Sequence, residues 1–175
     1  MDLNTAKSVS QIMSLMVARG GFNIWPDLLP FLTGMLSKEH LMELAIHTIS
    51  IIVEDCDSLF QNEKFSDLIT NMYPQICKLV SVNYSQTIIE NAINTLNMLV
   101  QTGFDIIIDN LSDYLLVLID MGTQIYAKDP KGTMKVQHRL IQGITVLLDY
   151  QLDQIMEDQF EPVADIMVKA LQHLD

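Results

Sequence analysis

Three residues in one short stretch have the types and spacing of a metal site. His40, Glu43 and His47 stand at i, i+3 and i+7, which places two imidazoles and a carboxylate on one helix face. Such groups are the usual nitrogen and oxygen ligands of zinc. The spacing is not the His-Glu-x-x-His of metalloproteases, and no fourth ligand or water-activating group stands nearby. The trio therefore reads as a solvated polar face, and no metal is expected. A second concentration of charge closes the same segment, where Glu54, Asp55 and Asp57 surround Cys56. Carboxylates at a helix C-terminus oppose the helix dipole, so this cluster needs a partner outside its own helix and marks an interaction surface. Cys56 and Cys77 are the only cysteines, and both lie among apolar residues at helical spacing. They are expected to be buried free thiols in a reducing compartment. No nucleophile elbow, phosphate-cradling glycine loop or paired-cysteine motif occurs. The expectation is a protein that binds and does not catalyse, with no cofactor; an all-helical enzyme whose residues carry no motif is the alternative.

The elements that position these residues are helical. Seven glycines and five prolines in 175 residues leave little room for a strand-and-turn protein, and 49% hydrophobic against 18% charged residues excludes disorder. Eleven methionines suit helix interfaces, where the flexible thioether fills irregular gaps. The net charge of −12 repels phosphate, so no nucleic acid is expected as direct partner; basic protein surfaces are favoured instead. No run approaches the roughly 18 apolar residues of a membrane span, and the N-terminus lacks the apolar centre of a signal peptide. No membrane association is expected, and elimination points to cytoplasm and nucleus.

Periodicity organises the helices. Pro30, Pro74 and Pro162 stand 44 and 88 residues apart, each followed by apolar helical sequence. Between them, Glu43-Leu44-Ala45-Ile46-His47-Thr48-Ile49 recurs as Glu90-Asn91-Ala92-Ile93-Asn94-Thr95-Leu96, and Leu140-Ile141-Gln142-Gly143-Ile144-Thr145-Val146 repeats it about 48 residues further on. Two interleaved series with a period in the forties describe an all-α solenoid of HEAT or armadillo type, expected to be right-handed. Residues 1–20 are expected to form the second helix of a truncated repeat, with Val9, Ile12, Met13, Met16 and Val17 as its apolar face. Complete repeats follow at 25–57, 65–103 and 109–151, and 157–175 form the first helix of another. Pro26 suits the first position of a helix at 26–36, Ser66 an N-cap, and Gly103 a stop. Residues 57–64 and Asp129-Pro130-Lys131-Gly132 read as polar connections. Helices without a partner at both ends make the chain read as part of a longer solenoid.

Trp25-Pro26-Asp27-Leu28-Leu29-Pro30, preceded by Ala18-Arg19-Gly20-Gly21, resembles the early HEAT repeats of the karyopherin-β (importin-β) family, its transportin-like members most. Ile52-Val53-Glu54-Asp55, Met72-Tyr73-Pro74, Leu147-Leu148-Asp149 and Gln159-Phe160-Glu161-Pro162-Val163 agree with that likeness. The resemblance implies a nuclear transport receptor that binds the GTPase Ran in its GTP form, nuclear pore proteins, and import cargo through repeats outside this segment. In that family early repeats meet Ran through their second helices. Glu43 and Glu90 share a register on successive second helices; Glu54 and Asp55 close the first of these, and Lys135 and Arg139 open the third. These six form the expected protein-binding ridge. A static HEAT scaffold of a phosphatase or coat complex is the competing reading.

Overall fold

The computed structural model describes residues 3–56, 58, 60, 65–103, 105–128, 133–151 and 157–172, and among them every regular element is helical. The order is α1 (Leu3–Gly20), α2 (Leu28–Met35), α3 (Glu39–Asp55), α4 (Ser66–Cys77), α5 (Gln86–Thr102), α6 (Asp105–Ile108), α7 (Leu111–Lys128), α8 (Met134–Gln151) and α9 (Glu157–Gln172). Consecutive helices α2/α3, α4/α5 and α7/α8 pack as hairpins. The hairpins stack: α1, α3, α5 and α8 are successive neighbours in one layer, and α2, α4, α6, α7 and α9 make the other. One continuous apolar core runs between the layers from Val17 to Ile166.

Local chemistry explains the helix ends. Ser85 caps α5 by accepting a hydrogen bond from the Ile88 N–H, and Gly103 ends it in the left-handed region at φ 73°. Gly21, at φ 64°, turns the chain after α1 while its N–H bonds Val17. Helix α2 begins two residues later than Pro26 predicts: residues Pro26 and Asp27 lie in a turn, and Pro30 takes the third helical position, where a missing N–H costs nothing. Ser66 is the first residue of α4 and Phe65 its cap, so Ser66 is no side-chain N-cap. Within the connection expected to be polar, Phe60 is fully buried and packs edge-on against Phe22 at 5.4 Å between ring centres, with Phe65 closing the cluster. The expected turn at 129–132 lies outside the described residues.

The layer containing α1, α3, α5 and α8 is joined by polar bonds between residues 38 to 44 apart in the sequence. Ser10 and Thr48 share a hydrogen bond across α1 and α3, hydroxyl to hydroxyl at 2.8 Å, and Thr48 also bonds the Leu44 carbonyl of its own helix. Ser14 donates to Asp55 at 2.6 Å, Ser85 to Glu43 at 3.2 Å, and Asn94 to Ser50 at 3.1 Å. Asn97 donates to the Arg139 carbonyl at 3.4 Å. Residue numbers rise together along these seams, so the four helices run parallel.

Helix α1 corrects the hydrophobic reading. Ser10 and Ser14 are buried, whereas Ile12, Leu15 and Met16 are 57%, 55% and 44% exposed. Of the expected face, only Val17 is fully buried, with Val9 and Met13 partly so. The small hydroxyls let α1 approach α3 closely and find partners there, which wide aliphatic side chains at the same positions would prevent. Polar burial wins because both hydroxyls are satisfied.

Small residues also occupy one register of this layer. Thr48, Thr95 and Gly143 are spaced at the repeat interval and are all buried. At Gly143 a methyl group would stand 2.7 Å from Asn97 Oδ1. That amide oxygen accepts the Tyr114 hydroxyl at 2.7 Å, and Tyr114 is wholly buried. Glycine is therefore required here by contact, since its backbone is ordinary helix.

Candidate protein-binding groove

The parallel layer carries a groove of about 710 Å³ that crosses all four helices. Its charged and titratable lining is Lys7 from α1, His40, Glu43 and His47 from α3, Glu90 from α5, and Lys135 from α8. Leu41, Leu44, Thr87 and Asn91 complete it. Each helix contributes from its N-terminal half, because parallel packing brings the four N-termini side by side. Glu43 is held in place: one of its oxygens accepts the hydroxyl of Ser85, which caps the neighbouring helix.

Three of the six expected ridge residues, Glu43, Glu90 and Lys135, thus meet in one groove. The other three lie elsewhere. Asp55 accepts from Ser14, so the partner expected for the acidic end of α3 is a hydroxyl on α1. Glu54 is exposed beside it. Arg139 turns along its own helix and donates to Gln142 at 3.0 Å. Sequence reasoning passed over Lys7, which had no motif to mark it, and assigned His40 and His47 only to a solvated face. His47 is half-buried, and its Nε2 is buried with no hydrogen-bond partner. Among the described residues no group of three or more His, Cys, Asp and Glu is placed to hold a metal ion.

The remaining titratable cluster belongs to the core. Burial pushes the Cys77 thiol up to about 11, with the hydrogen bond to Tyr73 pulling the other way. Burial likewise raises the phenols of Tyr73 and Tyr114 well above the ordinary range, and Tyr73 donates to the Asn110 carbonyl at 3.3 Å. A thiol held protonated is a poor nucleophile, so Cys77 is a packing residue. Cys56 is a buried thiol that meets the Ser14 carbonyl at 3.9 Å, and Cys77 is a half-buried thiol.

No helix among the described residues is long and apolar enough to cross a membrane. The architecture is that of stacked helical hairpins, consistent with HEAT and armadillo-type solenoids in general. No protein-family model matches the sequence, and no solved structure matches the chain.

Proposed function

We propose that this chain is a protein-binding segment of a nuclear transport receptor of the karyopherin-β type. Its hairpins are HEAT repeats in a right-handed superhelix, and it acts by binding without catalysis. Ran in its GTP form meets the layer of α1, α3, α5 and α8, while cargo and nuclear pore proteins engage other repeats. The receptor shuttles between cytoplasm and nucleus. Coupling between Ran and cargo on one solenoid is reciprocal, so each ligand weakens the other by the same factor.

The observation that carries this reading is the groove itself: successive second helices of the repeats align Glu43, Glu90 and Lys135 on one face. The Trp25-Pro26-Asp27 turn before α2 and the net charge of −12 support it from the sequence. The test is retention of GTP-loaded against GDP-loaded Ran on this chain. Retention of the GTP form, lost in a Glu43→Lys/Glu90→Lys variant at low ionic strength, is the expected result. Equal retention of both forms, or of neither, rejects the reading in favour of a static scaffold.

A further inference from the structure

The charges of the groove have an order as well as a place. Following the packing sequence α1, α3, α5, α8, they read Lys7, Glu43, Glu90, Lys135: positive, negative, negative, positive. Packed helix axes stand about 8–10 Å apart. That step equals roughly three residues of polyproline-II chain at about 3.1 Å each, a helix of three residues per turn that returns every third side chain to the same face. The lining mixes these charges with the apolar Leu41 and Leu44 and with the amide of Asn91, surfaces suited to a peptide backbone.

We propose that the groove binds a peptide segment of a partner protein in the polyproline-II conformation, with charges that run acidic, basic, basic, acidic at every third residue. Basic side chains of the segment sit at Glu43 and Glu90, and its acidic side chains reach Lys7 and Lys135. The order is the same from either end, so charge alone leaves the chain direction open. Only one oxygen of Glu43 is engaged, by Ser85, so a second donor can be accepted without breaking the cap of α5. The inference rests on the groove being a protein-binding face; it does not depend on the partner being Ran.

The charge order makes the test independent of the overall field. Two ten-residue peptides are compared, one with acidic ends and lysines at its fourth and seventh positions, the other with those charges inverted. Both have the same composition and zero side-chain charge, so the net charge of −12 on the protein acts on both alike. Fluorescence anisotropy at low ionic strength is expected to show the first peptide binding about tenfold tighter, a difference that shrinks toward twofold near physiological salt. A Lys7→Glu/Glu43→Lys/Glu90→Lys/Lys135→Glu variant is expected to reverse the preference. Circular dichroism checks its helix content, and Lys7→Glu/Lys135→Glu, at two exposed positions, serves if the fourfold variant does not fold. That variant is expected to lose the preference. Equal affinity for the two peptides, binding of neither, or better binding when the charges are spaced at seven residues for a helix overturns the proposal. Discrimination of the peptides without retention of Ran–GTP defeats the Ran reading alone; retention of Ran–GTP without discrimination defeats the peptide proposal alone.

Discussion

Replacing Gly143 with alanine tests whether α5 and α8 are as close as the structure places them. In an ordinary helix the change helps, by about 0.5–1 kcal/mol, because glycine loses more backbone entropy. Here the new methyl meets Asn97 Oδ1 at 2.7 Å and Leu118 Cδ1 at 3.0 Å. The leucine end can yield; the amide cannot move without loosening its bond to the buried Tyr114 hydroxyl. That hydroxyl keeps only a longer contact, 3.4 Å, to the Ile93 carbonyl. Overpacking costs about 1–3 kcal/mol and an impaired buried hydrogen bond about 1–3. After the helix gain is subtracted, Gly143→Ala should destabilise by about 1–5 kcal/mol. Urea denaturation followed by circular dichroism measures it, with an unchanged slope showing that the denatured state is unaltered. The mechanism is isolated by a double-mutant cycle with Asn97→Ala, which removes the obstructing amide. In that background Gly143→Ala should be neutral or stabilising. A stabilised Gly143→Ala single variant, or the same loss in both backgrounds, refutes the close approach.

Phe60→Ala should cost about 3–5 kcal/mol in the same assay, because the ring is fully buried against Phe22 and Phe65; a loss below about 1 kcal/mol contradicts that packing. Alkaline pH should weaken the fold. The Cys77 thiol is raised from 9.0 to about 11 in the folded chain, so its contribution is complete below about pH 9 and disappears as pH rises through about 11. Melting temperature should therefore fall over that window, less steeply in Cys77→Ala; identical slopes remove the thiol from the explanation. A chelator should leave the melting temperature unchanged, since a structural zinc contributes on the order of 10 kcal/mol; a clear drop restores a metal at His40, Glu43 and His47.

Elements whose ends are written in local chemistry were legible from the sequence. Gly103 stops α5 as expected, and Ser85 caps its other end, so local chemistry fixes both. The repeat interval also survived: it reappears as the separation between seam partners such as Ser50 and Asn94. What escaped was anything set by how near two helices lie. The burial of Ser10 and Ser14 in place of Ile12 and Met16 follows from hydroxyl partners on α3, which no hydrophobic count of α1 contains. Phe60 was hidden by its polar surroundings. In the groove, Glu43 and Glu90 were found because they share a register, and Lys135 because it opens the third helix of that series. Lys7 became relevant only once α1 was seen to run parallel to α3.

The register shared by Thr48, Thr95 and Gly143 has a mechanical consequence. These side chains face away from solvent, yet their bulk sets how far apart the parallel helices stand, and hence the distance between the charges above them. Ligand selectivity on this surface is accordingly adjustable from underneath. One methyl group added at the seam alters the gauge of the whole charged row, while every residue that touches the ligand stays the same.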